Sequence, residues 1–320
     1  MVQKKRQLDE EFITALLRGD LKELLQYIKR DNSLDLEIRE NYINIYYLGG
    51  NILKVSKKGN TYKFSFNFNY LKPAQSLQEN FIKKQKTDIQ KHKADQNWNA
   101  YFPLAKQAMD FHFSTNHKEE REFQQLIVRE NNYSSVANST DFFIIDIEYD
   151  NRAGARFDIV AVEWPSVASI RKLQNGFKPK LVVIEMKYGD GAFKGSASLK
   201  KHCDDFNSFS SSATYLNAFK SEMLTVFSQK RLLGLIPCLS VSRNDNDFDE
   251  FEEEIDLVFL ISNHDPASSI LQTELTGLSD ENIKFITSNF MGYGFYNHNI
   301  FYLDQFLARF GTQIYALQNI

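Results

Sequence analysis

The chain has 320 residues, of which 42% are apolar and 25% are charged, as is ordinary for a globular protein. No window of about 18 apolar residues occurs, which excludes a transmembrane helix, and two cysteines, Cys203 and Cys238, exclude a disulfide framework and a cysteine-rich zinc site. Because the start of the chain also lacks an apolar signal core, we expect a cytoplasmic protein that does not bind membranes.

The net charge of −3 is unevenly distributed along the chain. Residues 1–100 hold 18 Lys and Arg against 12 Asp and Glu, which gives a charge of +6. The remaining residues hold 20 against 29, which gives −9. The basic first part is compatible with a polyanionic partner, whereas the acidic remainder counts against tight nucleic-acid binding by that part.

Residues 1–98 are predicted to form a helix and then an antiparallel β-meander. Apolar residues between Phe12 and Ile28 recur at helical spacing. Four strand-like runs follow, separated by turn residues, at 34–40, 42–48, 51–58 and 61–70. Alternating aromatic residues in the last run predict one packed face. Residues 72–100 are polar and rich in lysine, which indicates a solvated helix or a linker, so we place the domain boundary at residue 98.

Residues 99–320 are predicted to form an α/β (α+β) domain, a mixed sheet flanked by helices. A helix with a break near residues 114–116 is predicted over residues 102–131. Three strands follow, at 142–149, 156–164 and 180–188. A helical stretch in two pieces, at 196–233, then leads to a fourth strand at 255–262. The first three strands are close enough in sequence for antiparallel hairpins. The fourth follows a long crossover and can pair in parallel.

Two of these strands carry charges among apolar residues. Asp158 lies in the run RFDIVAVEW, and Glu185 and Lys187 lie in the run KLVVIEMKY. Alternation along a strand places Glu185 and Lys187 on one face. Because buried charges need a partner, solvent or a metal ion, these three residues are candidates for a functional site.

This set of residues has the composition that phosphodiester hydrolysis requires. Two carboxylates can hold a hard divalent ion, with water in the remaining coordination positions. The ion stabilises negative charge on the phosphate and lowers the pKa of bound water. A nearby lysine can position that water or stabilise the pentacoordinate state. The pattern therefore predicts a metal-dependent phosphodiesterase.

Asp158 followed by Glu185-Met186-Lys187 resembles the motif of the PD-(D/E)xK nuclease superfamily, and the predicted order of elements resembles its restriction-endonuclease-like core. Phe157 stands where the motif often has proline. The resemblance implies that Asp158 and Glu185 bind Mg²⁺ or Mn²⁺, with a contribution from the Met186 carbonyl. It also implies that Lys187 serves the nucleophilic water.

Members of the superfamily often add a glutamate from the first core helix. Here Glu120 is the candidate for catalysis and metal binding, because it lies three residues before Phe123 on the apolar face of its helix; Glu119 and Glu130 are the alternatives. On the helix after the third strand, Lys200, Lys201 and His202 are candidates for phosphate contacts, although a solvated helix face is the simpler explanation for them.

The leading hypothesis is thus a divalent-metal-dependent nuclease that hydrolyses phosphodiester bonds, in DNA rather than RNA. Residues 1–98 would form an accessory module for substrate or partner recognition. The alternative is a protein with the same fold but no catalysis, which binds nucleic acid or protein. A basic surface around Asp158 would favour the nuclease, and an acidic one the binding protein. A homo-oligomer is compatible with either hypothesis.

Overall fold

The computed structural model describes residues 5–72, 79–151, 155–172, 176–193, 198–236, 248–264, 269–278, 283–288 and 294–311. The chain divides into two compact units. The first comprises Met1–Arg129 together with Thr225–Leu235, and the second comprises Glu130–Leu224 together with Ile236–Ile320. Over the described residues, the mixed α/β class predicted from the sequence is confirmed.

The first unit begins with two helices and a four-stranded antiparallel sheet in the order β1-β2-β3-β4. These elements are α1 (Glu10–Arg18), α2 (Lys22–Arg30), β1 (Asp35–Ile38), β2 (Tyr42–Tyr47), β3 (Gly50–Lys58) and β4 (Thr61–Ser65). The Asp9 side chain caps α1 by accepting a 2.7 Å hydrogen bond from the Phe12 N–H. The predicted meander is confirmed, while the predicted helix is divided at Gly19, where the backbone is extended.

The prediction of a strand over residues 61–70 is wrong beyond Ser65. A 3-10 turn at Phe68–Leu71 follows, and the Asn67 side chain caps it by accepting a 3.0 Å hydrogen bond from the Asn69 N–H. Asparagine side chains compete in this way for backbone groups that a sheet would otherwise use. The aromatic residues of this run therefore do not all belong to one strand face.

Three longer helices follow the sheet, namely α3 (Glu79–Ala94), α4 (Trp98–Phe113) and α5 (Glu119–Asn132). The Lys-rich α3 buries Gln85 and Ile89. The Gln85 amide donates a 3.3 Å hydrogen bond to a carbonyl of α4, so α3 is a packed helix. The first unit extends to Arg129, beyond the domain boundary predicted at residue 98. It does so because α4 packs on the first sheet. There the Tyr101 hydroxyl donates a 2.7 Å hydrogen bond to the Ile52 carbonyl.

The second unit contains a six-stranded mixed sheet in the order β10-β9-β8-β7-β6-β5. Its strands are β5 (Phe142–Asp150), β6 (Arg156–Glu163), β7 (Lys180–Tyr188), β8 (Ile255–Ser262), β9 (Lys284–Ser288) and β10 (Ile300–Tyr302). β5, β6 and β7 pair antiparallel, whereas β8 pairs with β7 and with β9 in parallel. The predicted hairpins and the predicted parallel fourth strand are both confirmed.

The connection between the parallel strands β7 and β8 is helical, as predicted for a crossover. The helices between strands are α6 (Ala168–Arg171), α7 (Leu199–Ser210), α8 (Ala213–Leu232) and α9 (Ser269–Thr276), and α10 (Leu303–Phe306) follows the last strand.

At the β5 edge of this sheet, the Asn132 amide exchanges two 2.9 Å hydrogen bonds with the backbone N–H and C=O of Ile144. This side chain occupies backbone groups that an edge strand would otherwise expose. None of the helices in the described ranges is apolar over a length that would cross a membrane.

Candidate active site

The candidate site lies where β6 and β7 stop pairing. Their antiparallel register runs from Glu163↔Lys180 to Ile159↔Ile184. One further step in this register places Asp158 opposite Glu185, so the two carboxylates that the sequence analysis selected are neighbours across the strands. The apolar residues before them, Ile159 and Ile184, are buried and fix the position of both strands.

The Asp158 side chain bonds to the backbone of the neighbouring strand. Its Oδ2 accepts a 2.8 Å hydrogen bond from the Met186 N–H, just beyond the last paired residues. A carboxylate is a strong acceptor for a backbone N–H, and the bond restricts the rotamer of Asp158. The half-buried Asp158 is therefore held beside the strand segment that carries Glu185 and Lys187.

Glu185 and Lys187 form a buried ion pair. Lys187 Nζ lies 3.1 Å from Glu185 Oε1, which confirms that both side chains project from one face of β7. The residues are 8% and 4% exposed, so water screens the interaction weakly. Each charge compensates the desolvation of the other, which explains how a Val- and Ile-rich strand accommodates both.

His202 of α7 joins this pair. Its Nε2 lies 2.9 Å from Lys187 Nζ and 3.1 Å from Glu185 Oε1. Burial and, next, the positive charge of Lys187 lower the pKa of His202 to about 4. The imidazole is therefore neutral near pH 7. Nε2 is thus within hydrogen-bond distance of both the Lys187 ammonium and the Glu185 carboxylate.

The start of α7 presents His202 to the strands. The Ser198 hydroxyl caps the helix by accepting a hydrogen bond from the Lys201 N–H. Leu199 and Cys203 on either side of His202 are buried and anchor this turn. Of the three residues predicted to contact phosphate, His202 thus reaches the carboxylate site.

The two lysines before His202 have a different environment. Lys201 pairs with Asp205 one helical turn later, at 2.8 Å and 3.0 Å to its two carboxylate oxygens. Lys200 is exposed. This arrangement is the one expected of a solvated helix face, and a phosphate contact by Lys200 or Lys201 stays a prediction.

Asp146 of β5 is a further buried carboxylate that the sequence analysis did not select. It is fully buried, it is paired in register with Val160, and its Oδ1 accepts a hydrogen bond from the Ile147 N–H. Val160 and Asp158 are two residues apart on β6, so their side chains project from the same face of the sheet. Asp146 is paired with Val160 and therefore projects from that face as well. The signal was present in the sequence, since an aspartate within the apolar run FFIIDIEY satisfies the criterion that identified Asp158.

Glu120 lies in the first turn of α5 and is half-buried. It belongs to the first compact unit, whereas Asp158 and Glu185 belong to the second. This turn contains three glutamates, Glu119, Glu120 and Glu122. Their negative charges interact favourably with the positive end of the helix dipole. The membership of Glu120 in the site stays a prediction, as does that of its alternatives Glu119 and Glu130.

The donor set on β6 and β7 consists of hard oxygen ligands, the carboxylates of Asp158 and Glu185, with the Met186 carbonyl between the two charged residues of β7. Within the described ranges, no three His, Cys, Asp or Glu side chains converge on a common metal position. Two carboxylates are suitable ligands for Mg²⁺ and Mn²⁺, since Mg²⁺ commonly keeps several waters.

Comparisons with protein-family models, with curated proteins and with solved structures found no match to this chain.

Proposed function

We propose that the chain is a divalent-metal-dependent nuclease of the PD-(D/E)xK type that hydrolyses phosphodiester bonds in DNA. The observation that carries the proposal is the meeting of Asp158, Glu185 and Lys187 at the end of the β6–β7 pairing. Buried charges at the centre of a sheet are costly for folding, and a site that handles charged substrates accounts for their presence.

In this proposal Asp158 and Glu185 would hold Mg²⁺ or Mn²⁺ through carboxylate oxygens, and the Met186 carbonyl would contribute a further oxygen. The bound ion would neutralise charge that develops on the phosphate and lower the pKa of a water molecule. The hydrogen bond from the Met186 N–H keeps Asp158 oriented, so the chain supplies a preformed pair of ligands.

Lys187 is proposed to orient the attacking water and to stabilise negative charge in the transition state. Its ammonium is held between Glu185 Oε1 and His202 Nε2, at 3.1 Å and 2.9 Å. His202 is then a positioning residue, because it acts on the reaction through Lys187. A neutral imidazole suits this role, since it adds no positive charge beside Lys187.

The alternative proposal is a non-catalytic binding protein with the same fold. It is favoured by the neutralisation of basic groups on neighbouring segments, because Arg156 lies 3.2 Å from Asp150 and Lys201 lies 2.8 Å from Asp205. Glu185 is also compensated by Lys187 without any ion. A site of this kind can be stable without performing chemistry.

A cleavage screen separates the two proposals. The protein would be incubated with single- and double-stranded DNA and RNA in the presence of Mg²⁺, Mn²⁺ or chelator. The nuclease proposal predicts metal-dependent cleavage of DNA together with Mn²⁺ binding in calorimetry. Absence of cleavage on every substrate, with no heat of metal binding, would favour the binding protein.

A further inference from the structure

Two groups of lysines in the first unit differ in their ion pairs. Several are compensated by carboxylates, since Lys57 pairs with Asp9 and Glu11, Lys83 with Glu79, Lys106 with Asp31, and Lys230 with Glu37. In contrast, Lys63, Lys86 and Lys93 have no carboxylate within ion-pair distance among the residues that the structure describes. The second group is therefore a cluster of uncompensated positive charge.

Two of these lysines lie beside one aromatic ring. The ammonium groups of Lys86 and Lys93 on α3 each lie 5.5 Å from the centre of the Phe68 ring. Phe68 is half-buried and is held by an edge-on contact with Phe66 at 5.3 Å. Cation–π attraction to this ring fixes both lysines and partly offsets their mutual repulsion.

Lys63 extends the cluster from the sheet. It is exposed on β4, and the pKa of Lys93 is lowered below the ordinary lysine value by burial and, next, by the positive charge of Lys63. The charges of Lys63 and Lys93 therefore oppose each other. Such repulsion disfavours the folded state, and a bound anion would relieve it.

We infer that Lys63, Lys86, Lys93 and Phe68, here named the basic platform, bind the phosphate backbone of a nucleic acid. Two ammonium groups beside a half-buried ring and a third on β4 offer uncompensated positive charge to a phosphate backbone, and ammonium groups bind phosphates without regard to base sequence. The inference rests on the proposed function for its choice of nucleic acid among polyanions. It assigns substrate binding to residues of the first unit, whose charge from residue 1 to residue 100 is +6.

The test measures binding separately from cleavage. Short single-stranded and duplex DNA would be titrated with the full chain by fluorescence anisotropy over a range of salt concentrations, in chelator so that no cleavage occurs. The platform variant carries Lys63→Gln, Lys86→Gln and Lys93→Gln. A control variant with the same charge change carries Lys22→Gln, Lys83→Gln and Lys118→Gln, all exposed lysines of the first unit.

We expect the platform variant to bind DNA about tenfold more weakly or worse, with a salt slope reduced by about 2 to 3, as the loss of three phosphate contacts predicts. The control variant should keep the affinity and the slope of the unmodified chain. Equal weakening of both variants, or no DNA binding by the unmodified chain, would overturn the inference. Binding that depends on the platform, without cleavage in Mg²⁺ or Mn²⁺, would support the platform and refute the nuclease.

Anionic vesicles of phosphatidylserine and phosphatidylcholine provide a second arm of the test. The platform was inferred from phosphate chemistry, and lipid headgroups also carry phosphate. Retention of the chain on these vesicles, combined with no measurable affinity for DNA, would overturn the assignment to nucleic acid. The expected result is the reverse, with DNA binding in the anisotropy assay and little retention on vesicles.

Discussion

The backbone N–H of Met186 donates a 2.8 Å hydrogen bond to Oδ2 of Asp158, and so connects a candidate metal ligand to the strand that carries the other. Because Met186 is buried, its N–H depends on this acceptor. The bond gives Asp158 a structural role in addition to its proposed chemical one. Any substitution of Asp158 therefore has to be designed so that the two roles are separated.

Asparagine and alanine at position 158 separate them. Asp158→Asn keeps an oxygen that accepts from the Met186 N–H, whereas Asp158→Ala leaves that group without its acceptor. We expect the alanine variant to be less stable than the asparagine variant by about 1–3 kcal/mol, the usual cost of a buried unsatisfied group. Urea denaturation of both variants measures the difference. Equal stabilities would show that the hydrogen bond contributes little.

The depressed pKa of His202 predicts a pH-dependent stability. With a folded-state pKa of about 4 and an unfolded value near 6.5, the unfolded chain binds a proton more readily between these values. The contribution of His202 is therefore fully present above pH 6.5 and is lost as the pH falls towards 4. Between pH 7 and pH 4.5 this loss amounts to about 2 kcal/mol.

His202→Asn is the variant that isolates this contribution. Asparagine does not titrate in this range. The free energy of unfolding of the variant should therefore fall less steeply from pH 7 to pH 4.5 than that of the unmodified chain. Denaturant titrations at a series of pH values give both curves. Parallel curves would contradict a buried, neutral imidazole at position 202.

The DNA cleavage activity of the same variant should show a lower kcat with little change in KM, as expected for a residue that acts through Lys187.

The buried pair of Glu185 and Lys187 predicts strong energetic coupling. Lys187→Met leaves Glu185 without its cation, and we expect it to lower the free energy of unfolding by about 3–5 kcal/mol, as for other broken buried pairs. Adding Glu185→Gln should restore a large part of that loss, because no buried charge then remains uncompensated. A double-mutant cycle in urea measures the coupling, and additive effects of the two substitutions would contradict it.

Asn132 predicts a stability effect remote from the candidate site. It is fully buried and satisfies both the N–H and the C=O of Ile144 at the edge of the second sheet. Asn132→Ala should cost about 2–4 kcal/mol, since two backbone groups lose their partners. The control Asn99→Ala replaces an exposed asparagine of α4 and should leave stability almost unchanged. Thermal unfolding of the two variants makes the comparison, and similar midpoints would contradict the edge role.

The element order of the second unit could be predicted because apolar runs of strand length alternate there with helical spacing. The runs that contain Asp158 and Glu185 are both rich in Val and Ile, which favours strands, and they pair as antiparallel neighbours. The same rule failed at residues 66–70, where the Asn67 side chain caps a turn instead of continuing the strand. Periodicity alone does not report such competition between side chain and backbone.

The candidate site was predictable in part. The charges of Asp158, Glu185 and Lys187 stand out against apolar neighbours in the sequence, and the structure places them within one small region. The contact of His202 with Lys187 and Glu185 depends on how α7 packs, which the spacing of residues along the chain does not determine. Asp146 was overlooked, although a charged residue in an apolar strand was the same signal.

A metal-dependent nuclease site formed by Asp158 and Glu185 is tested most directly by the DNA cleavage rate of Asp158→Asn in Mg²⁺ and Mn²⁺. The matched control is Asp205→Asn, which removes a carboxylate of the same unit that pairs with Lys201 at the surface. We predict that Asp158→Asn loses about a thousandfold or more in rate while it remains folded, and that the control cleaves at the rate of the unmodified chain. Cleavage by Asp158→Asn at an unchanged rate would contradict the account.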